Sequence, residues 1–482
     1  MAYSQVQLGL RSNVQRDTAA GSAKLVNCYG DDAGVDAKVR YPVFACDGWS
    51  SFSTLTSGGV TRGMINLDDT LLWVMSGGNL YSVTTGGTAT NRTAVATSGY
   101  AYFARNRAAT PDIAMVTSDG LTRLISGTSV TTPTYAGGVD QALFNSVCQL
   151  DGHFVFTKSD GEFYASGIDA TTIDELDFAK ASTYADGLTR GVVRGRDLVL
   201  MGPKSTEFWQ NVGNIDFPFQ RVHVTAIGAY AAPAVVPLVG VTDGVTSDTV
   251  IWPASGPDGS YIGVMLMGGY DAKKISTHEI DAAIRAATKA NLRAYSYATQ
   301  GVTFYCITDA ATFTYEFNCK TSFWHQRKGS GLSFSRIVDA CEFNGATIFG
   351  DYTSALIYQR SASQTPASAS ELELRKSRDN GTTWSSARTK AIGGSAARKT
   401  RQKFPWLGQS GEDGMLVELT ITNALVEGAN GVAMSIIPPT LHGWPNRTTS
   451  DTLYVDCIPG VSLTASPKGI LQIGVDTRVD AT

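Results

Sequence analysis

The chain has little charge, no cysteine pair at metal or redox spacing, and no long apolar run. Aspartate, glutamate, lysine and arginine make up 17% of its 482 residues, against about 25% in ordinary soluble domains. The signs nearly balance, with a formal net charge of −4, so no basic field marks a nucleic-acid binder. Seven cysteines (28, 46, 148, 306, 319, 341 and 457) are scattered, odd in number and without a CxxC. They read as reduced, mostly buried thiols rather than a disulfide framework, which fits folding in a cytoplasm. The opening MAYSQVQLGLRSN lacks an apolar signal core, and no run approaches ~18 apolar residues. The expectation is a soluble protein, not secreted by a signal peptide and without a membrane anchor. Five histidines (153, 223, 278, 325 and 442) show no metal spacing, and HExxH, GxSxG and P-loop motifs are missing. No catalytic residue, cofactor or metal is therefore assigned.

What the chain has in quantity is glycine, at 50 residues, together with serine, threonine and aromatics: the material of tight turns between short strands. The stretch 191–210, GVVRGRDLVLMGPKSTEFWQ, shows the unit: a polar turn, an apolar run, a Gly-Pro turn and a second run with two aromatics. That is a hairpin signature. Copies of this plan recur at 63–83, 111–125, 148–166, 258–276, 301–317 and 339–359, several with Asp-Gly turns, as at Asp119-Gly120, Asp151-Gly152 and Asp160-Gly161. Neighbouring copies mostly start about 40–45 residues apart, the blade period of a propeller. The wider gap between 211 and 258 reads as an insertion. A hairpin alone is marginal in water, and a radial array leaves only short, protected edges. The reading is an all-β chain with a β-propeller of six or seven blades at 51–360, favoured by its regular spacing over a pair of β-sandwiches. Residues 1–50 read as an N-terminal arm or loosely attached opening strand, and 361–370 (SASQTPASAS) as a linker. Residues 371–482 read as a C-terminal β-sandwich-like domain.

One helix interrupts the strands, expected over about 278–294. Ser276 with Glu279 forms a capping box, and Ile280, Ile284, Ala287 and Asn291 share a face that suits packing on the propeller rim.

Two motifs invite a functional reading. SRDNGTTW is an Asp box of Ser377, Asp379, Gly381 and Trp384, a turn that recurs in sialidase-like glycosidases. It occurs once and outside the propeller, and a hairpin turn accounts for it. The segment 388–403 gathers Arg388, Lys390, Arg398, Lys399, Arg401 and Lys403, a candidate contact surface for phosphates or an acidic partner. It lacks the interleaved aromatics of base stacking, and a solvated strand face is the favoured explanation. The acidic pairs Asp31-Asp32 and Asp68-Asp69 sit in Gly-flanked turns, where aspartate serves geometry.

The order GRDLVLMGPKSTEFWQNVG, FPFQRV (Phe217, Pro218, Phe219, Gln220 and Arg221 opening it) and KKISTHEIDAAI resembles the packaged-DNA stabilisation proteins, the tail hub or nozzle subunits of short-tailed bacteriophages. VNCY at 26–29, GGNLYSV, FWHQR and ELELRKSRDNGTTWSSARTKAIG agree, so the likeness is collinear from about 25 to about 435. Residues 442–475 extend beyond where that family is expected to stop. The resemblance implies a virion structural protein of a phage tail, assembled in the host cytoplasm, and no enzyme. It implies a ring, of six copies, that docks on the adaptor beneath the portal, extends the DNA channel and helps retain the genome until ejection. A distal needle, nozzle tip or fibre protein attaches to it, and viral DNA passes without sequence-specific binding. The alternative from another class is a glycan-binding or glycan-cleaving tail protein, for which cleavage needs two carboxylates about 5–9.5 Å apart.

Overall fold

The second strand of each repeat is apolar on both faces: Asp197–Met201 (DLVLM) is buried throughout, as is His153–Lys158 (HFVFTK). Strands covered on one side only would alternate, so these are sandwiched on both sides. Most of the outermost strands are exposed and polar by contrast, as in Ala89–Ala94 (ATNRTA), although Phe323–Gln326 is buried. That gradient, from sandwiched inner strands to a wet outer edge, builds blades.

The structure, a computed structural model, describes residues 4–5, 13–14, 22–32, 42–95, 99–214, 216–242, 245–299, 301–329, 331–361, 370–377, 383–393, 400–409, 416–422, 434–437, 448–458 and 470–479. Seven antiparallel blades follow one another. The first has Thr61–Asn66, Leu71–Ser76, Asn79–Thr84 and Ala89–Ala94; the second Ala101–Arg105, Asp112–Thr117, Thr122–Ser126 and Ser129–Thr131. The third has Phe144–Leu150, His153–Lys158, Glu162–Ala165 and Phe178–Lys180; the fourth Arg190–Arg194, Asp197–Met201, Thr206–Asn211 and Phe219–Thr225. In the fifth, Gly228–Ala229 and Val236–Thr242 share the inner place beside Val245–Ser255, followed by Tyr261–Met267 and Ala272–Lys274. The stretch expected as an insertion is thus largely the interrupted inner strand and long second strand of this blade. The sixth blade has Arg293–Thr299, Val302–Thr308, Thr314–Asn318 and Phe323–Gln326.

The seventh blade takes three strands from late in the chain, Ile337–Phe343, Ala346–Asp351 and Leu356–Ser361, and its outermost from the beginning, Gly48–Thr54. Pairing Ser361 with Gly48 and Leu356 with Thr54 locks the ring. Among the described residues, the propeller's hydrophobic core is correspondingly divided into seven parts, one between each pair of neighbours. Trp73 and Met75 pack with Ile113 and Met115 between blades one and two, while Leu72 and Val74, one residue out of phase, pack with Phe343 and Ile348 between blades one and seven. Period-two alternation therefore sorts side chains between two neighbouring cores rather than between core and water.

The tight turns obey the sequence. Asp151 (φ 52°) and Gly152 (φ 92°) make a two-residue hairpin link with both central residues left-handed, the reason for Asp-Gly there. Asn27 also takes φ 56°, breaking the strand Ser22–Val26 from Cys28–Gly30, and its side-chain oxygen accepts the Lys328 N–H.

The helix is shorter than the pattern suggests. It spans His278–Ala286, Ala287 is already extended, and a turn at Lys289–Asn291 delivers the chain to the inner strand of blade six. The demand for that strand overrides the helical periodicity. The N-cap is Thr277 and not Ser276, whose Oγ accepts the Val264 N–H instead. Glu279 accepts from the Tyr315 hydroxyl, so the capping-box assignment fails through competition from neighbouring strands. Ile280 and Ile284 are fully buried with Tyr261 and Tyr305 between blades five and six.

The stretch read as an arm is drawn into sheets in its described parts. Ser22–Val26 lies between the outer strand of blade six and Met434–Ile437, whose sheet continues through Leu416–Thr422 and Ser370–Ser377 to Arg388–Gly393. Cys28–Gly30 and Val43–Ala45 join Thr400–Gln409, Thr448–Ile458 and Ile470–Val479 in a second sheet. Of the expected linker, 362–369 lie outside the described residues.

Leading into the closing strand, residues 46–49 meet a buried ion network on blade six. The Glu316 carboxylate, fully buried, lies 2.7 Å from His325 Nε2 and 3.6 Å from Arg327 Nε. It also accepts from the Tyr297 hydroxyl at 3.2 and 3.3 Å and the Cys306 thiol at 3.5 Å. Cys46 Sγ is 3.5 Å from the same His325 nitrogen. Arg327 donates to the Asp47 carbonyl and lies over the Trp49 ring at 4.3 Å. Arg360 and Thr299 hold the Asp47 carboxylate at 3.0 and 2.7 Å. Burial works against both charges. It would raise the Glu316 pKa, but Arg327 and the hydrogen bond from His325 hold it below the usual value. It would lower that of His325, but Cys46 and Glu316 raise it to about 9.

Two predictions follow from closure. Trp49→Ala empties a site between Phe349 and Arg327 and should destabilise the protein by about 3–5 kcal/mol, read as a lowered urea midpoint. His325, near 6.5 when unfolded and about 9 when folded, stabilises fully below pH 6.5, and this contribution, about 3 kcal/mol, is lost as pH rises through 9. Urea midpoints at pH 6.5 and 9.5 should show an alkaline decline that His325→Gln lacks. If that variant does not fold, the ring titration of His325 by NMR gives the answer directly, and a midpoint under 7 contradicts the assignment.

Candidate axial site

The inner strands of a propeller ring surround its axis, and here they leave a cavity of about 300 Å³. Its walls come from six blades: Gly63 and Met64 from the first, Tyr100 to Phe103 from the second, Arg190 from the fourth, Val235 to Pro237 from the fifth, Ala294 to Ser296 from the sixth, and Asp339 and Ala340 from the seventh.

Arg190 and Asp339 are the charged groups in the lining, and Arg293 precedes the lining residue Ala294. Arg190 stacks its guanidinium on the Tyr102 ring, 3.7 Å from the centroid. Arg293 lies 5.7 Å from the Tyr100 ring centroid and donates to the Thr61 carbonyl at 3.1 Å. Asp339 accepts the Ala340 N–H at 2.9 Å. Burial raises its pKa to about 7, against the pull of that hydrogen bond and of Arg293 and Arg190. Burial likewise pushes the Tyr102 phenol up. The site can therefore bind charge and hold or release one proton near neutrality. Asp339 is the one carboxylate in the lining, so the paired carboxylates of glycoside hydrolysis are not assembled there.

For a metal, Cys46, Glu316 and His325 are the one group among the described residues whose donor atoms lie close enough to share an ion. Their geometry is that of a hydrogen-bonded ion network: His325 Nε2 and Glu316 Oε2 are at hydrogen-bonding distance, 2.7 Å, and the buried Arg327 already balances the carboxylate. Three donors also fall short of a closed tetrahedral set.

The residues singled out in the sequence lie elsewhere. Ser377 is buried at the end of its strand and Trp384 is half-buried, in the connection between Ser370–Ser377 and Arg388–Gly393; Asp379 and Gly381 lie outside the described residues. The basic segment is split. Arg388 and Lys390 stand in one sheet, Arg401 and Lys403 in the other, and Arg398 and Lys399 lie outside the described residues. Phe217 packs on Phe163 and Phe219, and Arg221 bonds to the Thr183 hydroxyl, so the 217–221 marker seals the outer edge between blades three and four. Arg194 pairs with Asp197 across a turn, as scaffold. The axial residues Arg190, Tyr100, Tyr102, Arg293 and Asp339 are missed by motif reading. The available signal was slight: an acid inside the otherwise apolar opening of IVDACEF.

No curated protein matches the chain. Among solved structures it is similar to the WD40 beta propeller domain of Doa1, at 10% identity over 66% of this chain and 98% of that one, with a TM-score of 0.39. It is also similar to the computationally designed Ika8 protein, at 11% identity over 70% and 100%, with a TM-score of 0.37. A family model described as bacteriophage P22 Gp10, beta-propeller, matches residues 46–363. That span opens just before the closing strand and ends just after the last strand of blade seven. The chain belongs to this family of phage β-propeller proteins that stabilise packaged DNA.

Proposed function

We propose that the protein is the hub or nozzle subunit of a short phage tail, six copies forming a ring that docks on the adaptor beneath the portal. The ring extends the DNA channel and holds the genome until ejection, with a needle, tip or fibre protein at its distal side. Family membership supports the role in DNA retention. The observation that carries the ring is the axial cavity. At about 300 Å³ it is of small-molecule size, whereas the major groove of a duplex alone is about 12 Å wide. DNA therefore passes between copies, not through a propeller.

A conduit should not grip what it must release. A net charge of −4 suits this, because neutralising phosphates is what creates non-specific affinity. Retention then comes from closure of the ring by its distal partner. The propeller, 51–360, serves as the rigid body and 371–482 as a second β unit for partner contacts. Copies are proposed to meet through Ile168, Leu176 and Phe178, large apolar side chains exposed on blade three at 67%, 77% and 42%, since burying exposed apolar surface favours association. The reading is of a scaffold rather than an enzyme, assembled in the host cytoplasm and carried in the virion.

Purified protein mixed with its adaptor should give closed rings with an opening wider than a duplex by electron microscopy. A protein that stays monomeric in the presence of adaptor contradicts the proposal. Leu176→Asp with Phe178→Asp should abolish rings while leaving the monomer's melting temperature within a few degrees, since neither side chain is buried.

A further inference from the structure

We propose that the axial cavity is a binding site for a small oxyanion, held by the guanidinium of Arg190 and the hydroxyl of Tyr102. Two features of the cavity point to a ligand. The Tyr102 side chain is 3% exposed, lines the cavity, and its hydroxyl has no hydrogen-bond partner. Arg190 lines it too, and its Nε and Nη1 are buried without a partner. Buried donors of this kind cost stability unless something accepts from them, and three unpaired donor atoms on two side chains that line one space is a set an oxyanion satisfies. Guanidinium matches carboxylate, sulfate and phosphate oxygens better than any other side chain.

Size and charge agree. The space is about 300 Å³, many times the ~30 Å³ share of one water, with Val235, Val236 and Ala294 among its walls. Arg190 stays flat against the Tyr102 ring, so its fork is oriented before any ligand arrives. Tyr100 and Arg190 remain half-exposed, which leaves the cavity open to solvent.

Asp339 sets a pH dependence. The groups acting on it are Arg190 of blade four, Arg293 of blade six, Tyr100 of blade two, the Met64 N–H of blade one, and Ala340 and Cys341 on its own strand. Ionised, its carboxylate repels an anion; protonated, it becomes a further donor. With its pKa near 7, anion binding strengthens as pH falls from 8 to 6.

The test is calorimetric titration of the full chain with sulfate, which does not titrate in this range, at ionic strength matched with chloride. Saturable one-site binding is expected, about tenfold tighter at pH 6 than at pH 8, as loss of one nearby like charge produces. Tyr102→Phe should weaken it several-fold, Arg190→Met should abolish it, and Asp339→Asn should bind with no pH dependence. A parallel titration with benzenesulfonate separates sources. Tighter binding than sulfate assigns the site to the acid group of an organic ligand, and weaker binding to a free inorganic ion. No saturable heat with either anion, or unchanged affinity in both Tyr102→Phe and folded Arg190→Met, overturns the proposal.

Discussion

The ring depends on one strand that arrives from far away in sequence. Gly48–Thr54 completes blade seven beside Leu356–Ser361, and without it the last blade would expose an unpaired edge and the cores it shares with blades six and one would open to water. The residues just before it are fastened at Glu316, where His325, Arg327, Tyr297 and Cys306 converge on one buried carboxylate. A buried charge is costly by itself, and removing one partner leaves the other uncompensated. The network therefore penalises any arrangement in which 46–49 is not seated, which makes it a register device for closure as much as a source of stability.

Closure also explains why the core is divided. A sandwich has one interior; this ring has seven, each between neighbouring blades, and each second strand contributes alternate side chains to two of them. A defect in one blade is then felt by both neighbours. At the axis the inner strands of six blades line a cavity of about 300 Å³. In the proposed hub the conduit therefore lies outside each propeller, and the axis is left to the small ligand proposed for it.

Much of this was legible. All seven hairpins expected from turn chemistry and apolar runs correspond to blades, because Asp-Gly turns and doubly buried strands are local properties. The fifth blade was misread as carrying an insertion because its inner strand is interrupted by the turn Ala232–Ala234, which dilutes the local pattern. The helix was overextended, since the alanine-rich run after Ala286 keeps helical periodicity although the blade needs a strand from Arg293. Ser276 was misplaced as a cap because the competing Val264 N–H comes from another strand.

The sequence by itself determined the fold class, the repeat period and the lack of a familiar catalytic motif, since each rests on residue type and spacing over a few tens of residues. The family likeness was also visible there, in the order of short motifs. Only the tertiary structure decided that there are seven blades, that residues 48–54 close the last one, and that Arg190, Tyr102 and Asp339 face one cavity. These facts require partners as much as 313 positions apart to meet, and no local pattern encodes a meeting set by how a ring closes.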